Sequence, residues 1–195
     1  MTPLLAAAVL AYLLGSIPFG LLLTRLAGLG DIRRIGSGNI GATNVLRTGS
    51  KGAAALTLLL DLAKGAAAVV IGGGWSPEGA LVGAGCVILG HMFPVWLGFR
   101  GGKGAATALG VLIALAWPVA LVAAFLWLAV ALWFRYSSLA ALIAAVASAA
   151  FAPLVADTTT ALVIAVISLL IILRHHANIR RLVAGTESRI SLGRG

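Results

Sequence analysis

AATALGVLIALAWPVALVAAFLWLAVALWF, residues 105–134, runs for thirty positions without a charge and is interrupted only at Trp117-Pro118. Lys103 precedes it and Arg135 follows it. A helix crossing the hydrocarbon layer of a bilayer needs about 20 apolar residues. One crossing would leave Lys103 and Arg135 on opposite faces. Two full crossings need roughly 35–40 residues. Cytoplasmic loops collect Lys and Arg, so both ends belong on one side, and the stretch must go out and return with one leg short. The pattern therefore predicts a half-helix from about Ala105 to Ala116, a break near Pro118, and a full span ending at Phe134. A short leg is tolerated only where protein or a water-filled cavity surrounds it.

The rest of the chain has the same character. Of its 195 residues 61% are hydrophobic and 10% charged, against about 25% charged in a soluble domain, and the mean hydropathy is +1.10. Apolar spans are expected over 3–23 (bent at GSIPFG, 15–20), 53–74, 79–97, 138–156 and 158–173. The fold class is all-α: a polytopic transmembrane bundle of seven helical segments, one of them the short half-helix, in a single domain over 1–195. Thirteen of the fourteen Lys and Arg residues fall after the first, third, long and last apolar runs, and the other is Lys64. The loops at 74–79 and 156–158 hold Glu78 and Asp157 and no basic residue. This asymmetry puts the N-terminus outside and the C-terminus in the cytoplasm. No basic stretch precedes the first apolar run, which reads as a span and not a removable signal. The single cysteine, Cys86, lies inside an apolar run, which excludes a disulfide or a cysteine-based metal site within the chain.

Three polar clusters interrupt the apolar sequence. RIGSGNIGATNVLR, residues 34–47, places Gly36, Gly38 and Gly41 among Ser37, Asn39, Thr43 and Asn44, with Arg47 at its end. Glycine permits sharp turns and close approach of backbone to a ligand, and the loop leads into a helix, whose N-terminus favours anions. It reads either as an oxyanion cradle or as a flexible linker. GHMFPVWLGFRGGKG, residues 90–104, brings His91, Arg100, Gly101, Gly102 and Lys103 before the half-helix, without the spacing of a P-loop. Lys103 suits a phosphate as a point charge; Arg100 suits a topology-setting loop equally well, and His91 a helix-to-helix hydrogen bond. RHHANIRRLVAGTESRI, residues 174–190, offers His175, Asn178 and Arg181 on one face if the helix continues, then Glu187 after Gly185. It also reads as a basic helix on anionic headgroups. Adjacent histidines without a second ligand set do not make a metal site. Ser137 and Ser138 follow Arg135-Tyr136 as a turn and N-cap, or as further site hydroxyls. Asp61 and Lys64, three apart inside a span, are a functional suspect or a self-contained ion pair.

These positions favour one cytoplasm-facing anion site over a pore, because the outer halves of the spans are almost wholly apolar; a transporter of small phosphorylated anions would need polar groups along both halves of its path. No Asp-rich or H-x-x-x-x-D motif is present, since Trp96 stands five after His91, and five scattered acidic residues do not support two-metal chemistry. Nothing points to a cofactor, a metal or a nucleic-acid partner.

Together GSGNIGATN, GHMFPVWLGFRGGKG and HHANIRRLVAGTES, with YLLGSIPFG and DLAKG, resemble the bacterial integral-membrane acyl-phosphate:glycerol-3-phosphate acyltransferases over almost the whole chain. The resemblance implies transfer of an acyl group from acyl-phosphate to the 1-hydroxyl of sn-glycerol 3-phosphate. The products would be 1-acyl-glycerol 3-phosphate and inorganic phosphate, at the first step of phospholipid synthesis. It implies a multi-pass protein of the bacterial inner membrane, with its site facing the cytoplasm, supplied by an enzyme that makes acyl-phosphate. It carries Ser37, Arg47, Lys103, His175 and Asn178 over as catalytic. Gly36, Gly38, Asn39, Gly41, Thr43, Asn44, Gly101, Gly102, Ser137 and Ser138 become phosphate or substrate ligands, and His91, Arg100, Arg181 and Glu187 support them. An acyl-phosphate is already activated, so positioning and charge suffice. His91, His175 and Glu187 are the candidate bases; a substrate phosphate oxygen is an alternative acceptor for the hydroxyl proton.

Overall fold

The computed structural model describes residues 2–190, and Arg194 of the basic C-terminal segment lies outside them. The chain forms two compact units, Met1–Leu115 and Ala116–Gly195. Among the described residues all regular structure is helical.

The first unit contains α1 (Pro3–Gly15), α2 (Phe19–Leu26), α3 (Ala42–Leu46), α4 (Lys51–Gly73), α5 (Pro77–Met92) and α6 (Ala105–Leu115). The expected bend in the first span is a full break: α1 stops at Gly15 and α2 begins after Pro18. Hydroxyl caps start the long helices, Ser50 accepting from the amide of Ala53 and Ser76 from that of Gly79, which satisfies donors that a helix start leaves unpaired. The helices approach closely through glycine. A Cβ at Gly15 would run into the Val87 carbonyl, and one at Gly90 into that of Tyr12, joining α1 to α5. Gly65 and Gly110 do the same between α4 and α6. In a bilayer the surroundings are as apolar as the helix faces, so such backbone-to-backbone packing replaces the hydrophobic drive.

The second unit contains α7 (Trp117–Phe134), α8 (Ser137–Phe151), α9 (Thr158–Arg174) and α10 (His176–Val183). A small core joins Val130 and Ala131 of α7 to Ala140 of α8. Asp157 caps α9 with hydrogen bonds of 3.0 Å from the amides of Thr159 and Thr160.

Among the described residues five segments are long and apolar enough to cross a membrane: Pro3–Leu26, Lys51–Gly73, Pro77–Leu97, Trp117–Phe134 and Ser137–Leu154. The pair α9 and α10, bent by 58°, makes a sixth. With α6, an apolar helix of 11 residues, these are the seven expected segments. α6 ends at Leu115, one residue before the expected Ala116, and the break falls at Ala116, just ahead of the expected Pro118. Pro118 then occupies the first turn of α7, where its missing amide is harmless.

Candidate active site

In the first unit the glycine-rich segment is an ordered loop. Ile32, Ile40 and Val45 anchor it in a core with Leu21 and Ala54, so its ends are pinned between α2 and α4. Its centre is organised by Asn44, buried at 2% exposure. The Asn44 amide donates to the carbonyls of Ile32 (3.0 Å), Ile35 (2.9 Å) and Asn39 (2.8 Å), and its oxygen accepts from the amide of Ser37 (3.1 Å). Gly36 has φ +53°, and a Cβ there would lie 2.6 Å from Asn44 Oδ1 and 2.7 Å from the Arg47 side chain. Arg47 therefore runs back across Gly36. Asn44, a phosphate-ligand candidate by the resemblance, has its side chain bonded to the loop's own backbone. The amides of Ser37, Gly38 and Gly41 are likewise bonded within the loop. The side chains of Ser37, Asn39, Thr43 and Arg47 are the loop's hydroxyl, amide and guanidinium groups of the kind that bind an anion. Beside it, Asp31 pairs with Arg33 (2.6 Å) and Arg25 (3.2 Å). Hydrogen bonds from the Arg33 side chain and amide, with a weaker one from Arg25, hold its carboxyl far below the usual range.

The second loop, 98–104, folds back on the end of α5. Gly101 donates its amide to the Met92 carbonyl (3.1 Å) and Gly102 to that of His91 (2.9 Å). The amides of these two candidate ligand positions are thus bonded within the protein. The glycines are required for packing: a Cβ at Gly101 would strike the His91 carbonyl, and one at Gly102 the imidazole. Lys103 follows, half-buried, and Arg100 is exposed. His91 is buried, with Nδ1 3.7 Å from Asp61 Oδ1. Tyr12, unnoticed in the sequence, donates its hydroxyl to the Phe93 carbonyl (2.7 Å). A phenol inside an apolar span must find an acceptor, which is the signal that it carried.

In the second unit Glu187 is a hub. Its carboxylate accepts from Ser138 (2.8 Å), Asn178 (2.7 Å) and Arg181 (2.7 Å). Burial alone would raise its pKa, but the bonds from Asn178, Ser138 and Arg181 outweigh it and hold the carboxyl below its ordinary value. The helix does not continue straight through the third motif: it bends at His175, the residue shared by α9 and α10. His175 Nδ1 lies 2.8 Å from the Ile171 carbonyl; a carbonyl only accepts, so that nitrogen carries the proton. Asn178 and Arg181 do share a face, as expected, and both meet Glu187. Arg135 closes the segment by donating to the Ile190 carbonyl (2.9 Å) and accepting from its amide (2.6 Å). Ser137 opens α8. Among the described residues no group of three or more His, Cys, Asp or Glu is arranged to hold a metal ion.

The glycerol-3-phosphate acyltransferase family profile matches residues 5–185. A glycerol-3-phosphate acyltransferase of Mesorhizobium japonicum is 62% identical over 187 residues, covering 96% of each chain. One of Brucella anthropi is 56% identical over 188 residues, covering 96% of this chain and 93% of its own. Two crystal structures of the integral membrane glycerol 3-phosphate acyltransferase PlsY are 40% identical to the chain. The glycerol 3-phosphate form has a TM-score of 0.92 over 97% of this chain and 96% of that one. The lysophosphatidic acid form has 0.89 over 96% and 95%. With this profile, these relatives and this all-helical membrane fold, the chain belongs to the glycerol-3-phosphate acyltransferase family and is an integral membrane acyltransferase of phospholipid synthesis.

Proposed function

We propose that the donor is acyl-phosphate and the acceptor the 1-hydroxyl of sn-glycerol 3-phosphate, with the reaction at the cytoplasmic face of a bacterial inner membrane. The observation that carries this reading is the loop at 34–47, an ordered turn that Asn44 holds in shape and that carries Ser37, Thr43 and Arg47, groups suited to a phosphate. Lys103 adds a second cation in the same unit. The family match over residues 5–185 supports treating the chain as one functional domain. The basic loops support an outside N-terminus and a cytoplasmic C-terminus.

The chemistry needs little covalent help. The glycerol hydroxyl oxygen attacks the acyl carbon, the bond from that carbon to the phosphate oxygen breaks, and inorganic phosphate leaves with the electron pair. A phosphate oxygen of a substrate takes the hydroxyl proton. Cationic and hydroxyl side chains hold the two phosphates and stabilise the charge that moves onto the leaving group. The family resemblance also gives His175 and Asn178 a part in turnover. If His175→Gln or His91→Gln alone abolished the chemical step with substrate binding intact, the proton would belong to that histidine.

The test is phosphate release by the purified protein in lipid, with glycerol 3-phosphate and either palmitoyl phosphate or palmitoyl-CoA. Lysophosphatidic acid and phosphate from palmitoyl phosphate alone, lost with Lys103→Ala, is the expected result. Product from palmitoyl-CoA instead would overturn the donor assignment.

A further inference from the structure

The motif DLAKG, residues 61–65, has no part in the chemistry above, yet it builds the most buried ionic group of the first unit. Lys64 Nζ lies 2.8 Å from Asp61 Oδ1, and both side chains are at most 3% exposed. The same ammonium donates to the Ile17 carbonyl (2.9 Å) and sits 5.5 Å from the centre of the Phe19 ring. Ile17 and Phe19 flank the break between α1 and α2, so Lys64 occupies the carbonyl end that the break exposes. Asp61 faces His91 on its other side at 3.7 Å, an electrostatic contact longer than a hydrogen bond. His91 in turn supports the loop before Lys103: its carbonyl takes the Gly102 amide, and its imidazole lies where a Gly102 side chain would be.

An isolated ion pair inside a membrane protein is expensive, and hydrophobic replacements are often neutral or stabilising. A pair that only filled space would need no histidine and no glycine fitted to that histidine. We propose that Asp61, Lys64 and His91 form a positioning network that sets where Lys103 stands: Lys64 ties Asp61 to the α1–α2 break, Asp61 orients His91, and His91 seats the glycine loop. They are positioning residues, acting through Lys103 and not on the substrate. This rests on the reading of Lys103 as a phosphate-binding cation.

A double-mutant cycle on binding tests it, because residues acting through one another give non-additive effects. The full-length protein in lipid is titrated with glycerol 3-phosphate and, separately, with a non-hydrolysable acyl phosphonate. Asp61→Asn keeps the shape and removes the charge. It is expected to weaken binding of whichever compound Lys103 holds by about tenfold, and to have less than a twofold effect in a Lys103→Ala background. His91→Asn, which leaves the Asp61–Lys64 pair intact, is expected to behave the same way and provides the cycle if Asp61→Asn does not fold. Equal weakening in both backgrounds, or none with native Lys103, would overturn the proposal. Turnover by the native protein is measured alongside. Its absence would overturn the function proposed above, while a coupled pair of binding constants would still uphold the network.

Discussion

Two non-helical segments, 35–41 in the first unit and 185–190 in the second, each have one polar side chain that gathers several hydrogen bonds, Asn44 and Glu187, and the two work differently. Asn44 bonds only backbone: three carbonyls and one amide. Glu187 bonds only side chains: a serine, an asparagine and an arginine. A neutral hub that takes backbone partners shapes a loop without consuming its side chains or its positive charge. A charged hub that takes side chains ties the segment down and neutralises the nearest cation. The first arrangement suits a site that must present groups to an anion; the second suits an anchor.

Removing the hubs separates these roles. Asn44→Ala strips four hydrogen bonds and leaves buried carbonyls unpaired, each bond contributing about 1 kcal/mol net. A loss of roughly 3–4 kcal/mol in unfolding free energy is expected, with turnover below about 1% of native even where the protein stays folded. Retained glycerol 3-phosphate affinity in a folded Asn44→Ala protein would break the comparison. Glu187→Ala is expected to cost about 2 kcal/mol, since its partners are two neutral side chains and one arginine, Arg181, that is 39% exposed. Residual turnover should then track the folded fraction. Gly36→Ala sharpens the first half: the new Cβ meets Asn44 and Arg47 at a positive φ, and about 1–2 kcal/mol of strain is expected in thermal unfolding.

The two hubs also differ in their response to acid. The folded pKa of Glu187 lies below its unfolded value, so its stabilisation is complete above the unfolded carboxyl pKa of about 4.3. It is lost as pH falls through the lower folded value. Melting temperature followed from pH 7 to pH 3 should drop more steeply in native protein than in Glu187→Gln. Parallel curves would show that Glu187 takes no part. Asn44 adds no such dependence. The smallest expected effect is Asp157→Ala: loss of the α9 cap costs about 1 kcal/mol, read as a shift in thermal unfolding with turnover unchanged.

The short helix before Ala116 was legible because charge placement and chain length leave no other path between Lys103 and Arg135. The cation and hydroxyl candidates of 34–47 were legible because polar residues stand out in an apolar chain. The packing role of Gly101 and Gly102 was not legible, because a glycine fitted to a ligand and one fitted to a buried imidazole look alike in sequence. The bend at His175 was not foreseen, since helical spacing continues unbroken through HHANIRR while the backbone does not.

The sequence by itself determined the helical class, the spans, the interruption near Pro118 and the family. These follow from local hydrophobic length, from charge exclusion by hydrocarbon and from motifs read in order. Only the tertiary structure decided which polar groups remain available: Asn44 turned inward on its loop, Glu187 gathering Ser138, Asn178 and Arg181, and Asp61 set between Lys64 and His91. Hydrogen-bond partners are chosen by proximity and geometry within a few ångströms, and segments distant in the chain reach that proximity only when the helices pack.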